Sequence, residues 1–494
     1  MTDPDAAPRR ELADLLDALP PEHRVPDARA RIRAANVAAG RRFAVLDDDP
    51  TGSQSVHDVA LVTVLERPEY AAALAEPGAV AFLLTNSRGL LEPDAAALNE
   101  AVAGDLFALE AESGGEMALV SRSDSTLRGH VTAEVAALDG ARRAAHGRGY
   151  DGVLLVPAFF EAGRLTVDDV HWVMGADGAV PAGESEFARD ATFGYTARTL
   201  PGFLAERSGG AIDPADVATI PLAALREGGP DRVADILHGV SGGRFVVVNA
   251  ASYADLEVVV LGLQQAESAG KRFLHRCGPS FVRALAGIEP ALPLTPDRIP
   301  LSGGGGAHGL VVVGSHTAVT TRQLDAALAR GGLVHVEVDA SALAAEATAD
   351  AVVDDAARRV REALATSDVV VSTSRALVRE ADAAGSLGVA QRISQGLVRL
   401  TEQVRETRPA WVIAKGGITS HDVMARGRGI RRGRVLGQVL PGAISVLLPD
   451  DAPAEVEGTP VVIFPGNVGG DTALADAIDL LRAAAARRDE ATGG

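Results

Sequence analysis

The chain has 494 residues, 47% of them apolar and 23% charged, which suits a globular protein of two or three domains. Its 47 basic and 66 acidic residues leave a formal net charge of −19, the opposite of the basic surface that sequence-independent nucleic-acid binding needs. One cysteine, Cys277, excludes an internal disulfide framework and a cysteine-rich zinc site, and no apolar run approaches the roughly 18 residues of a membrane span.

From the N-terminus, Met1 to Arg10 is polar and lacks the apolar stretch of a signal peptide, so a cytoplasmic location is expected. Residues 1–40 read as a helical leader, with one helix over Glu11–Leu19, then Pro20-Pro21, and an Arg-rich helix over Pro26–Ala39. Short apolar runs follow at Phe43–Leu46, Ala79–Leu84, Met117–Val120, Gly152–Val156 and Arg244–Val248, with helical stretches between them such as Asp94–Ser113 and His130–His146. Buried strands alternating with helices predict an α/β domain over 41–289, its sheet mostly parallel and covered on both faces. Residues 157–195 mix polar groups and aromatics without a period, as a functional loop or lid does; the lone His171 there reads as structural.

Residues 290–309 lose periodicity, turn Pro-rich and end on Ser302 and Gly303 to Gly306, which predicts a hinge. The alternation then restarts and predicts a second three-layer α/β domain over 310–494. Its strands are expected at Leu310–Val313, Leu333–Val338, Asp368–Val371, Trp411–Ala414, Ala443–Leu448 and Pro460–Phe464. Its helices are expected at Thr321–Ala329, Asp350–Ala365, Val389–Glu406 and Asp471–Arg488.

Polar loops follow several strands, and ligands of open α/β sheets sit at the carboxyl ends of strands. Asp47-Asp48-Asp49-Pro50-Thr51-Gly52 alone reads as an acidic turn with an N-cap, and Thr85-Asn86-Ser87-Arg88 alone as a surface loop. Arg122-Ser123-Asp124-Ser125-Thr126-Leu127-Arg128-Gly129 concentrates hydroxyls, a carboxylate and guanidiniums, a set fitted to a polyhydroxylated acid. Together the three loops point to one pocket. In the second domain Gly314-Ser315-His316-Thr317, Lys415-Gly416-Gly417-Ile418-Thr419-Ser420 and Gly466-Asn467-Val468-Gly469-Gly470 also follow strands. Each alone reads as an ordinary strand-to-helix turn; the three together suggest a nucleotide site. Only Lys271 and Lys415 are lysines among the 47 basic residues, so Lys415 either marks a place that needs a compact ammonium or falls there by chance. No P-loop, strict dinucleotide fingerprint, zinc-protease, protein-kinase or nucleophile-elbow signature is present.

These motifs, in this order, resemble the four-carbon acid sugar kinases, two-domain ATP-dependent enzymes, over about residues 40 to 485. The residues that carry the resemblance are Asp48 to Gly52, Thr85 to Arg88, Ser123 to Gly129, Pro157-Ala158-Phe159 with Gly163-Arg164, Gly314-Ser315, Gly416 to Ser420 and Gly466 to Gly469. Where the family reads Asp-Asp-Phe-Thr-Gly-Ala, this chain has Pro50 and Ser53-Gln54, a departure that bears on the substrate and not on the reaction class. The resemblance implies that the first domain binds the sugar acid and the second binds ATP. It implies substrate contacts from Asp48 or Asp49, Arg88 and Ser123, Asp124, Ser125 and Thr126. It implies nucleotide contacts from Ser315, from Gly416, Gly417, Ile418 and Thr419, and from Gly466 and its neighbours Asn467 and Gly469.

The expected reaction is phosphoryl transfer from MgATP to a hydroxyl of a threonate, erythronate or 3-oxotetronate type acid. Asp48 or Asp49 would orient or deprotonate the acceptor, with Asp48 preferred, and Arg88, or less so Arg128, would hold the carboxylate. Lys415 would add a charge to the phosphate cradle. Magnesium is expected from the chemistry with no ligands named. The partners are then the acid and ATP, with neither nucleic acid nor membrane, and a homodimer is a possible assembly. The rivals are a sensor that binds an acid metabolite without turnover, a kinase of another small hydroxy acid, and a nucleotide-dependent oxidoreductase disfavoured by the missing fingerprint.

Overall fold

The computed structural model describes residues 16–492 except 18, 50, 51, 176, 177, 302–304, 376–382 and 441–443, and only the backbone of 383–388, 390, 418 and 489–492. Most of the leader helix expected at Glu11–Leu19, Pro50 and Thr51 of the acidic loop, part of the glycine run at 302–304 and the Ile418 side chain therefore lie outside the described residues. The second leader helix is present at Ala28–Ala38 and buries Ala28, Ile32 and Asn36.

Contacts divide the chain into two compact units. The first comprises Met1–Ser55 and Leu65–Pro290, the second Val56–Val64 and Ala291–Gly494. Residues 56–64, which a contiguous division leaves in the first domain, thus pack with the second.

In chain order the strands up to residue 277 are β1 (Arg41–Asp47), β2 (Val59–Val62), β3 (Val80–Leu84), β4 (Glu116–Arg122), β5 (Gly152–Val156), β6 (Arg164–Val167), β7 (Val170–Gly175), β8 (Gly178–Pro181), β9 (Ala218–Ile220), β10 (Arg244–Val248) and β11 (Phe273–Cys277). The first unit's main sheet runs β3-β1-β4-β11-β5-β10-β9, with parallel pairing. Every residue of β1, β3, β5 and β11 is buried, the pattern of strands covered on both faces. The aperiodic 157–195 stretch contains the separate antiparallel sheet β6-β7-β8. Register puts Asp47 beside Leu84 and Arg122, and Arg122 beside Cys277, so the acidic, Arg88 and Ser123–Arg128 loops all leave one edge of the sheet.

The second unit adds β12 (Leu310–Val313), β13 (Leu333–Val338), β14 (Asp368–Thr373), β15 (Val412–Lys415), β16 (Arg432–Leu440), β17 (Ile444–Asp451) and β18 (Val461–Phe464). Its order is β13-β14-β12-β15-β18-β17-β16-β2. The first five strands are mutually parallel, and β17, β16 and β2 extend the sheet antiparallel. Val311, Val313, Trp411, Ile413 and Phe464 pack with Leu474, Ile478 and Leu481 of the helix Ala473–Thr492 in its core. Among the described residues no helix is long and apolar enough to cross a membrane.

Candidate functional site

In the first unit, β1 delivers Asp47 and Asp48 as buried carboxylates. Arg122 Nη1 donates to Asp47 Oδ1 at 2.8 Å, and the Thr85 hydroxyl donates to the Asp47 carbonyl at 2.9 Å. Burial raises the Asp47 carboxyl to about 6, with Arg122 pulling it back. Both oxygens of Asp48 are buried with no hydrogen-bond partner among the described residues. Burial pushes Asp48 up to about 7, against the pull of Arg88 and with the help of Glu134. Gly129 has φ +123°, and a Cβ there would lie 2.9 Å from Asp48 Oδ2 and 3.1 Å from Arg276 Nη2, so the loop approaches the carboxylate only as glycine.

Asp49 is half-buried and ion-paired with Arg88, whose Nη1 also lies 3.6 Å from Asp124 Oδ2. Asp124 accepts Arg128 Nε at 2.6 Å, the Thr126 amide at 3.1 Å and the Thr126 hydroxyl. Burial alone would raise Asp124, but Arg88 and Arg128 override it and hold the carboxyl down at about 2. Ser123, Ser125 and Thr126 are buried. The Ser123 amide donates to the Cys277 carbonyl at 2.9 Å. The antiparallel sheet and the segment after it hold this loop: Arg164 Nη1 donates to Ser125 Oγ at 2.5 Å, His171 Nε2 meets the Ser125 carbonyl at 2.8 Å, and the Tyr195 hydroxyl donates to the Thr126 carbonyl at 3.0 Å. Burial lowers His171 to about 4, which leaves it a neutral, structural imidazole.

Sequence reasoning missed Arg276 and Glu134. Arg276 Nη1 bonds the Ser121 hydroxyl at 2.7 Å and the Glu134 carboxylate, which also accepts the Ser87 hydroxyl at 2.5 Å. Both sit beside Asp48 and act on its carboxyl with opposite signs. A small cavity is lined by Ser123, Asp124, Leu127, Arg276 and Cys277.

In the second unit, the loops after β12, β15 and β18 meet at one sheet edge, where the Gly314 amide donates to the Lys415 carbonyl at 3.1 Å and the Gly416 amide to the Phe464 carbonyl at 2.8 Å. Gly416 has φ +127°, and a Cβ on it would lie 3.0 Å from Thr419 Oγ1 and 3.3 Å from the Ser315 amide nitrogen. A Cβ on Gly466 would lie 2.6 Å from Ser315 Oγ. Ser315, Gly416, Thr419 and Gly466 are thereby brought together; Asn467 and Gly469 stand exposed on the last loop. The helix Ala318–Arg330 fastens that loop: Thr317 and Thr320 hydroxyls each donate to the Gly466 carbonyl at 2.7 Å, and Gln323 Nε2 donates to the carbonyls of Val468 and Gly470 at 2.9 Å.

Lys415 does not present its charge to a loop surface. It is fully buried, its Nζ donates to the Pro465 carbonyl at 3.1 Å and lies 3.7 Å from the centre of the Phe464 ring, and burial lowers it to about 7. The cation that sequence reasoning missed at this edge is Arg375, just beyond β14. Its Nη1 donates to the Ser315 carbonyl at 2.7 Å and its Nε to the Thr373 carbonyl at 3.2 Å. Its Nη2 is buried and has no hydrogen-bond partner among the described residues. Among the described residues no group of three or more His, Cys, Asp and Glu side chains is placed to hold a metal ion.

Comparison with known proteins matches a sugar-binding N-terminal domain to residues 43–285 and a nucleotide-binding C-terminal domain to residues 310–474. A D-threonate kinase of Salmonella typhimurium is 27% identical over 369 residues, which cover 72% of this chain and 78% of the relative. Two solved structures share the fold at 17% identity. One, a Salmonella typhimurium LT2 protein described as a tRNA synthase, has a TM-score of 0.66 and covers 88% of this chain and 98% of its own. The other, a Haemophilus influenzae protein of the DUF1537 family, has a TM-score of 0.61 and covers 89% and 100%. The two domain matches in this order, with the threonate kinase relative, mean that the chain belongs to the four-carbon acid sugar kinase family.

Proposed function

We propose that this protein transfers a phosphoryl group from ATP to a hydroxyl of a small four-carbon sugar acid of the threonate, erythronate or 3-oxotetronate type. The observation that carries the reading is Asp48: a buried carboxylate at a strand end, both oxygens unbonded among the described residues, with a pKa of about 7. A base poised near neutrality can take the acceptor hydroxyl's proton as the new P–O bond forms. Its neighbours Ser123, Ser125 and Thr126 supply hydroxyls for a polyhydroxylated chain, and guanidiniums around it offset the acid's charge.

MgATP supplies the phosphoryl group and the metal charge that neutralises it. The glycine loops fit it: Gly416 and Gly466 carry no side chain to crowd Ser315 and Thr419, so phosphate oxygens can come close to the backbone at this edge, with Arg375 Nη2 as the charge beside them. Lys415 then acts through the Phe464–Gly466 turn it braces. Magnesium would be carried by the phosphates and water, as is common for this ion. A cytoplasmic location goes with these substrates.

A coupled ADP-release assay over the stereoisomers of threonate and erythronate and over 3-oxotetronate tests the reading. Acid-dependent ADP release by the parent, lost in Asp48→Asn, is expected. Tight acid binding without ADP release across the set would overturn it in favour of a sensor.

A further inference from the structure

The charges of the first unit's site are unevenly matched. Arg122 is paired with Asp47, Arg88 with Asp49, Arg276 with Glu134, and Arg128 with Asp124. Arg164 is matched least. Its carboxylate neighbour, Asp124, stands with Oδ1 4.0 Å from Nη1 and already serves Arg128 and Thr126. Its Nε is buried with no hydrogen-bond partner among the described residues. Its guanidinium lies 5.1 Å from the Phe187 ring centre and 5.9 Å from that of Phe159, with Nη1 on the Ser125 hydroxyl. Burial works against its charge, Asp124 offsets that only in part, and Arg128 and Arg122 add like-charge repulsion, so its pKa falls below the ordinary value.

A guanidinium that is already desolvated, held by aromatic faces and short of a counter-charge gains most from an incoming carboxylate. Arg88 is the opposite case, occupied by Asp49 and next to Asp124. We propose that Arg164 holds the acid group of the substrate, with Ser125 bonding the neighbouring hydroxyl, while Arg88 braces Asp49 and Asp124. This rests on the sugar-acid reading given above, and it moves the carboxylate contact from Arg88 to Arg164.

The test measures calorimetric affinity of the parent, Arg164→Gln, Arg164→Met and Arg88→Gln for the threonates and erythronates and for their neutral primary amides. Melting temperature and ADP affinity show that each variant is folded, and the methionine keeps the aliphatic stem between the rings should the glutamine variant fail. The parent is expected to bind its preferred acid about tenfold or more tighter than the matching amide, as a charge-assisted pair warrants. Either Arg164 variant should bring that ratio close to one, and Arg88→Gln should keep it. An Arg164 variant that keeps the parent ratio, or an Arg88→Gln that alone abolishes it, overturns the proposal. ADP release is scored separately: acid binding without turnover overturns the kinase reading and leaves Arg164 decided by the ratio. A parent that binds none of the acids overturns both.

Discussion

Arg122 Nη1 and Asp47 Oδ1 are 2.8 Å apart on adjacent parallel strands, and both side chains are buried. One position further on, Asp48 is also buried, without such a bond among the described residues. Two successive carboxylates at the end of β1 thus differ: one is paired inside the fold, the other is buried without a hydrogen-bond partner among the described residues.

Replacement separates the two. Asp48→Asn should fold and lose about 10²–10⁴ in kcat, the usual worth of a positioned base. Asp47→Asn leaves Arg122 buried without its counter-charge and should cost about 3–5 kcal/mol of stability. Urea denaturation alongside the ADP-release assay distinguishes a catalytic loss from a folding one.

With Asp48 at about 7, the parent's kcat/KM should rise with pH and level off above roughly that value. The acid limb should disappear from the residual activity of Asp48→Asn. A parent profile flat from pH 5.5 to 8.5 argues against Asp48 as the base.

Stability should follow the same carboxyls with a definite sign. Asp47 and Asp48 hold their protons more tightly folded, at about 6 and 7, than at the ordinary 3.8. The native state then binds more protons between these limits, so stability falls as pH rises from about 4 to about 7. Asp124, held at about 2, works the other way: its contribution is full above 3.8 and is lost as pH falls towards 2. Melting curves of the parent and Asp48→Asn across pH 4 to 8 should converge at the acid end and favour the variant at the alkaline end.

Lys415→Met should fold and should raise the KM for ATP by only a few-fold, because the lysine reaches the site through Pro465. The folded amine sits at about 7 and the unfolded one at 10.5, so the unfolded state binds more protons in that window and the parent gains stability as pH rises through it. The methionine variant should lack that gain. A loss of ATP affinity of a hundredfold or more at constant stability would restore a direct phosphate contact.

Arg375→Gln should raise the KM for ATP about tenfold, the worth of one charge-assisted hydrogen bond, and leave the KM for the acid unchanged. Steady-state kinetics with each substrate varied in turn measures this; an equal rise in both would argue against a nucleotide role.

Strands such as β1, β3, β5 and β12 are legible in the sequence because burial on both faces leaves a run of Val, Leu and Phe. β11 is not: its buried His275 and Arg276 look like surface residues, and only in the fold are Glu134 and Ser121 brought to Arg276 from far along the chain. β16 is interrupted by Gly433 and Gly437 and by register irregularities against β17, which hide its period. The polar loops announce the first site by composition. Arg276 and Arg375 stay hidden because their partners are distant in sequence. The setting of Lys415 is hidden for a related reason, since a rare lysine at a strand end looks exposed until Phe464 and Pro465 close over it.

The strand β2 has a consequence for synthesis. Its partners, Arg432 to Val435, come off the ribosome long after Val59 to Val62. The sheet of the second unit thus closes on a segment made before most of the first unit, a pairing of very long sequence separation that costs loop entropy and slows folding. Until residue 435 is made, the strand that begins at Val59 has no edge of that sheet to join.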